Sequence, residues 1–314
     1  MTRSNVLRGL TAQRGSSHPT VVTVGVFDGV HRAHQQLIRS TVHIARRLGG
    51  TSVAVTFDPD PQVVLDPRHA QPALMPLDAR VRRLNDLGID RVQVIPFTKR
   101  FARMSAQAFI ERVLIRRLHT QVLVVGEQFA FGRDRRGNTG VLQTMGSRYG
   151  MRVVSIPSVI GAGRTISSSR IRHLIDQGRL SQARYLLGRP PELYGVVVRG
   201  AGRGRQLGFP TANLRLTSQI LPPRGVFAVL IGTTDGRRSW RGVMNLGVRP
   251  TFGPGPLVCE VHLLGFSGTL VGRSVCVSLL ARLRGERCFP SPGVLCRQVR
   301  HDLRRARRLF ARFP

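Results

Sequence analysis

Lysine is almost missing from this chain of 314 residues: Lys99 stands alone, although Lys and Arg together number 49. A P-loop requires G-x-x-x-x-G-K-[ST], and the neighbours of Lys99 are Pro96, Phe97, Thr98 and Arg100. This excludes a P-loop, so any phosphate the chain binds must be held without a P-loop lysine. Acids are scarce as well, 16 against those 49 bases, for a formal net charge of +33. Cysteine is confined to Cys259, Cys276, Cys288 and Cys296, with no C-x-x-C pair, which argues against a zinc site. No apolar run reaches membrane length, so no spanning helix and no membrane partner are expected. The N-terminal stretch holds Arg and Ser and no acid before Asp28, but it lacks a secretory apolar core. Its residues Val6 to Leu10 read as a first short strand. Reduced thiols and a cytoplasmic location are the expectation.

The charge itself fits a nucleic-acid-binding protein. Yet the arginines are spread along the chain, and no zinc finger, helix-turn-helix or aromatic RNA-binding motif accompanies them. We read the excess as compositional bias, with no specific nucleic acid expected; adventitious binding to RNA or membranes stays physically open.

What the chain does have is an unusual early stretch, VVTVGVFDGVHRAHQQLI, Val21 to Ile38. Four valines make a short buried strand. Gly25 and Gly29 then mark a tight turn where backbone can approach a ligand. A helical pattern starts near Val30, with Leu37 and Ile38 as apolar positions. Amides at a helix start have no partner within the helix and can bind phosphate. His31 and His34 are three residues apart and share one face there. They suit the charge that develops as a pyrophosphate leaves. An ordinary crossover with two surface histidines is the plain alternative.

Further strands are expected at Ser52–Phe57, Arg91–Ile95, Gln121–Val125 and Val153–Ile156. Helices are expected at Leu77–Leu87, Ala106–Leu118 (with Ser105 as N-cap), Ile171–Gln177 and Leu180–Leu187. This alternation predicts a Rossmann-like α/β domain, a parallel sheet with helices on both sides. Thr165 to Arg172, TISSSRIR, is a second candidate phosphate-binding helix start, although on the residues alone capping is the better account of its serines. Gly188 to Pro191 reads as a linker, dividing the chain into domains 1–187 and 188–314.

Beyond it strands shorten and glycines multiply, which predicts a small antiparallel β-barrel. Gly200 to Gly208, GAGRGRQLG, reads as a mobile flap with no helix after its G-x-G, its amides suited to phosphate. Thr211 and Asn213 lie two apart on an extended segment and present one oxygen each to the same side. They could hold a hydrated Mg²⁺ together with phosphates, or simply form a polar turn. An amphipathic C-terminal helix carries Leu295, Val299, Leu303, Leu309 and Phe310.

In this context the stretches resemble the bacterial bifunctional riboflavin kinase/FAD synthetase family, from about Val6 to Asp302. VGVFDGVHRAH resembles its adenylyltransferase signature, VGEQFAFGRDRRG its V-G-x-D-F-x-F-G-x-x-R-x-G, and ISSSRIR its I-S-S-T-R-I-R. GVVVRGAGRGRQLGFPTANL closely resembles the riboflavin kinase signature; LPPRGVFAV, GVMNLGVRPTF, EVHL and LRGERCF match further kinase segments in order. Ala33, Asp60, Gln128 and Thr269 stand where the family has Gly, His, Asp or Asn, and Asp. The resemblance implies a nucleotidyltransferase domain followed by a kinase barrel. Riboflavin and ATP would give FMN, and FMN and ATP would give FAD, both steps with Mg²⁺. It assigns Glu260 as the kinase base, and His31 and His34 as the charge-stabilising pair of the other site. It assigns Gly25, Phe27, Asp28, Gly29, Gln128, Ser168, Ser169 and Arg172 to substrate binding in the first domain. In the second it assigns Gly204, Gly208, Pro210, Thr211, Asn213, Asn245 and Arg249, with Thr211 and Asn213 as metal ligands. Two rival readings stay open: a single-activity kinase with a weakened first site, and a basic nucleic-acid-binding protein on the same fold.

Overall fold

The computed structural model describes residues 6–9, 18–234, 236, 238–248 and 257–311. The chain divides into two compact units: residues up to Gln71 with Leu77–Ser168 form one, and Pro72–Pro76 with the residues from Ser169 form the other.

The first unit is built on six parallel strands: β1 (Val6–Arg8), β2 (Thr20–Val24), β3 (Thr51–Asp58), β4 (Arg91–Pro96), β5 (Thr120–Gly126) and β6 (Arg152–Ile156). Their order is β1-β4-β3-β2-β5-β6. Every residue of β2, three valines and two threonines, is buried, the continuous burial of a parallel strand covered on both faces. α1 (Arg32–Arg47) buries Leu37, Ile38, Val42 and Ala45 against β2 and β3. α2 (Pro61–Leu65), α3 (Leu77–Asp86), α4 (Lys99–Ala102) and α5 (Ala106–Phe109) follow, with α6 (Thr139–Arg148) before β6. Val22, Val24, Val53, Val55, Leu123 and Val125 share one apolar cluster with Phe109, Ile110, Val113 and Leu142. The sheet order reverses between β2 and β5. The C-terminal ends of neighbouring strands at such a point are where open α/β sheets carry ligands.

Ser105 caps α5, its Oγ accepting the Ala108 amide at 3.1 Å, as expected. The helix expected over Ala106–Leu118 is not uniform. It widens into a π-helical segment at Ile110–Ile115, where Arg116 N–H reaches back five residues to the Glu111 carbonyl. The wider turn buries Ile110, Val113 and Leu114 on the sheet, and an apolar pattern does not distinguish it from an α-turn. A short hairpin, β7 (Ile160–Gly161) with β8 (Arg164–Thr165), precedes α7 (Ser168–Asp176) and α8 (Leu180–Leu187).

The second unit contains a closed six-strand barrel. Its strands are β9 (Glu192–Val198), β10 (Ala212–Leu216), β11 (Gly225–Thr233), β12 (Ser239–Gly247), β13 (Val258–Leu263) and β14 (Ser274–Gly285). The order around it is β10-β13-β12-β11-β14-β9, and every pair is antiparallel. Alternation decides what each strand buries: Cys259, Val261 and Leu263 of β13 fill the interior with Met244, Leu246 and Phe227. The residues between them face outward. α10 (Pro292–Phe310) covers part of that outer surface, packing Leu303, Ala306 and Phe310 on Val226, Val243 and Leu283. Sequence pattern fails at Gly200–Gly208. The loop contains one helical turn, α9 (Arg203–Gln206), because Gly202 turns the chain at φ 72° into four residues too few to leave a periodic signal. Among the described residues no helix is long and apolar enough to cross a membrane.

Candidate functional site

The first candidate site starts at the C-terminal end of β2. Gly25 donates its N–H to the Val55 carbonyl at 3.0 Å and continues the sheet by one residue. The chain then enters the left-handed region at Phe27 (φ 55°), Gly29 (φ 80°) and Val30 (φ 39°). Left-handed backbone is costly for an aromatic and more so for a β-branched residue. Burial holds it in place, since Phe27 and Val30 are fully buried. The turn delivers His31 to the N-cap of α1, not to its first turn, where its Nδ1 accepts the His34 amide at 3.4 Å. An accepting Nδ1 puts the ring proton on Nε2.

The two imidazoles stack, with centroids 3.6 Å apart and planes 16° apart, and the Phe27 ring meets His34 edge-on at 5.3 Å. His34 Nδ1 is buried and has no hydrogen-bond partner. Burial, then the neighbouring His31 and Arg80, hold the His34 pKa well below its ordinary value of 6.5. Arg80 is itself buried, its Nη1 donating to Thr56 Oγ1 at 3.1 Å and to the Phe57 carbonyl at 3.2 Å. The neutral ring has a consequence for stability. Unfolded His34 titrates near 6.5 and folded His34 below that, so the unfolded chain binds the extra proton in between. His34 is at no cost to stability above about pH 6.5, and its penalty grows as pH falls from there toward the folded value. We expect the urea midpoint of wild-type protein to fall faster with acidification than that of His34→Phe. Parallel curves would contradict this.

Asp28 is buried, and its carbonyl accepts Ser168 Oγ at 2.9 Å, so the TISSSRIR segment starts beside the β2 turn. Ser169, exposed, and Arg172, buried, fall in the second unit, where Arg172 Nε donates to the Pro72 carbonyl at 2.9 Å. Gln128 follows the C-terminal end of β5 with an exposed side chain. Just beyond, Phe129 and Phe131 stack at 5.4 Å, and Gly132 leaves room for the Ala106 backbone at φ 73°. Asp58, exposed, ends β3. Asp60 caps α2, its Oδ1 accepting the Gln62 amide at 2.9 Å.

The second candidate site lies on the outer face of the barrel. Asn213 of β10 is directly opposite Glu260 of β13, and Glu260 is directly opposite Asn245 of β12. Residues opposed in this way have Cβ atoms about 5 Å apart on a common face. The three side chains therefore form one polar row across three strands. All three are half-buried and line a cavity of about 190 Å³ with Thr211. Apolar walls come from Phe209, Leu207, Val226, Val243 and Val299.

The segment before β10 forms another wall. His262, two residues beyond Glu260 and on its face, donates Nδ1–H to the Pro210 carbonyl at 2.8 Å and meets the Phe209 ring edge-on at 6.0 Å. Gly204 packs on Phe209 and Thr211; a methyl there would come within 2.6 Å of the Phe209 carbonyl. Gly200 is more restricted, since a methyl would overlap the Asn213 amide. Gly208 turns the chain at φ 82° into Phe209. On the far side Arg284 and Asp302 form a buried ion pair at 2.9 Å that ties β14 to α10, with Gln298 as the second donor to Asp302. Glu286 accepts the Val248 amide at 2.8 Å. Cys259 lies beneath, in the barrel interior. Burial and then the charge of Glu260 push its thiol up to about 12, so it is not a nucleophile at neutral pH. Thr269 accepts the Val271 amide at 3.2 Å within its turn. Arg249 lies outside the described residues.

The roles of His262 and Gly200 were not singled out from sequence. Period-two alternation from Glu260 locates His262. The space Gly200 leaves for Asn213 depends on a contact across thirteen residues that no local pattern encodes.

Two family models match the chain in tandem, FAD synthetase over residues 13–170 and riboflavin kinase over residues 187–310. The bifunctional riboflavin kinase/FMN adenylyltransferase of Pseudomonas fluorescens is 38% identical over 98% of this chain and 98% of its own. The protein of that name from Escherichia coli K12 is 36% identical over 92% of each. A crystal structure of a macrolide-efflux protein from Streptococcus pneumoniae superposes with a TM-score of 0.84 at 30% identity, covering 96% of this chain and 98% of that one. With both family models in order along one chain and full-length relatives above 30% identity, the chain belongs to the bifunctional riboflavin kinase/FMN adenylyltransferase family.

Proposed function

We infer that this chain makes FAD from riboflavin in two ATP-dependent steps, phosphorylation at the barrel and adenylylation at the parallel sheet. The observation that carries the reading is the row Asn213–Glu260–Asn245 in a cavity edged by a glycine-rich segment, on a chain that matches both family models. Domains 1–187 and 188–314 are the division we propose for the two activities.

In the kinase step Glu260 takes the proton of the ribityl 5′-hydroxyl as that oxygen attacks the γ-phosphorus of ATP, and ADP leaves. Gly204 and Gly208 allow the flap to approach the phosphates, and Pro210 fixes the corner that presents Thr211 and Asn213. Asn245 and Arg249 complete the binding set. Hydroxyl, amide and carboxylate oxygens are hard donors that suit Mg²⁺, an ion usually bound through few protein ligands together with phosphates and water. Thr211 and Asn213 are the residues we assign to it; Mg²⁺, when bound, neutralises phosphate charge.

In the second step a phosphate oxygen of FMN attacks the α-phosphorus of ATP and pyrophosphate leaves. His31, through Nε2–H, and His34 stabilise the departing charge beside the first amides of α1. Gly25, Phe27, Asp28 and Gly29 shape the turn, while Gln128, Ser168, Ser169 and Arg172 bind substrate. No protein nucleophile is required, because positioning and electrostatics supply the catalysis. The partners are small molecules. A cytoplasmic location fits four cysteines of which none forms a disulfide among the described residues.

Labelled ATP tests the bond assignments. Phosphorus label at the γ position should enter FMN, and label at the α position should enter FAD alone. Label from the α position in FMN would refute the scheme. A second expectation concerns the flap: Gly200→Ala forces the Asn213 amide to move. Riboflavin phosphorylation should drop at least about tenfold, equivalent to about 1.4 kcal/mol of barrier, with FMN adenylylation unchanged. An unaltered kinase rate would show that Asn213 does not need its present position.

A further inference from the structure

α10 presents two unlike faces. Leu303, Ala306 and Phe310 are buried on the barrel, and the only acid of the helix, Asp302, is buried in its ion pair with Arg284. The opposite face carries Arg297, Arg300, His301, Arg304, Arg307 and Arg308, all exposed. None of these arginines is in an ion pair among the described residues. They recur at spacings of three and four, so like charges sit one turn apart and repel. The helix dipole accounts for Arg307 and Arg308 in the last turn, where cations are favoured, but not for Arg297, Arg300 and Arg304. The exposed residues of this face include no Phe, Tyr, Trp or aliphatic side chain to insert into a bilayer, and the helix's own apolar face is already used on the barrel.

We propose that this outer face of α10 docks the phosphodiester backbone of a nucleic acid, in addition to the two reactions. Guanidinium groups match phosphate oxygens in pairs. On a straight helical ridge that carries no hairpin, arm or recognition loop to enter a groove, such contacts fall on the backbone, which positions a protein without specifying sequence. Binding is therefore independent of sequence and steeply dependent on salt. Because Val299 and Leu303 of the same helix line the kinase cavity, the ridge lies on the reverse side of a catalytic wall.

The test is binding of a fluorescent DNA duplex of arbitrary sequence to the full chain, across about 50 to 200 mM salt. It compares the quadruple variant Arg297→Gln, Arg300→Gln, Arg304→Gln, Arg308→Gln with a charge-matched control, Arg39→Gln, Arg47→Gln, Arg82→Gln, Arg112→Gln, all exposed and in the first unit. The proposal expects the α10 variant to flatten the log–log salt slope by about 3.6, and Arg304→Gln alone by about 0.9. The control should keep the wild-type slope, and all variants should phosphorylate riboflavin normally. Equal weakening by both quadruple variants would assign the binding to diffuse charge and overturn the proposal. So would absence of duplex binding, or an α10-dependent preference for anionic lipid vesicles over duplex.

Discussion

Glu260→Gln should reduce FMN formation by about 10²- to 10⁴-fold, the range for loss of a positioned general base, while the same protein adenylylates supplied FMN at the wild-type rate. The substitution keeps the size of the side chain and one acceptor oxygen, puts an amide in place of the carboxylate and removes the basic oxygen. The barrel should tolerate it, because Glu260 lies on the outer face and the interior of β13 is set by Cys259, Val261 and Leu263. The carboxylate is also what helps raise the Cys259 thiol. In Glu260→Gln the thiol should titrate lower, which reports on the lost charge separately from activity. Loss of both steps together would mean that the variant has damaged the fold. Loss of neither would remove Glu260 from the chemistry.

The reciprocal result is expected from His31→Ala with His34→Ala: FAD formation down by about 10²- to 10³-fold, as for removal of a positioned donor to developing charge, and riboflavin phosphorylation preserved. Single variants separate the roles. His31→Asn keeps a side-chain acceptor at the N-cap of α1, so it should retain helix stability but lose the Nε2–H donor. His34→Phe should preserve the ring contacts with His31 and Phe27 and lose the imidazole. A deficit confined to the affinity for ATP would place both rings in binding alone. A deficit in turnover at saturating ATP is the outcome expected from the role proposed for them, stabilising charge as pyrophosphate departs.

Much of this was legible in the sequence. The valine run, the glycine turn and the apolar stripe of α1 follow from local periodicity, and the structure has all three. The row of Asn213, Glu260 and Asn245 was legible only as three motif positions. Their alignment depends on strand register around a closed barrel, which no window of one strand contains. His31 was expected in the first turn and sits at the cap instead, because Phe27, Gly29 and Val30 take positive φ and delay the helix start. Sequence identity signals freedom for glycine but not for a buried Phe or Val. The turn of α9 and the π-helical widening at Ile110–Ile115 were missed for a common reason: neither leaves an apolar period of its own. Asp60, which departs from the family pattern, has a local role as the cap of α2 that requires nothing of catalysis.

The most direct measurement is a time course with one purified protein, riboflavin, ATP and Mg²⁺, with FMN and FAD quantified separately. Two working pockets on one chain give a rise of FMN that precedes FAD and then falls as FAD grows. FMN that accumulates without any FAD, or riboflavin left unchanged, would contradict the account.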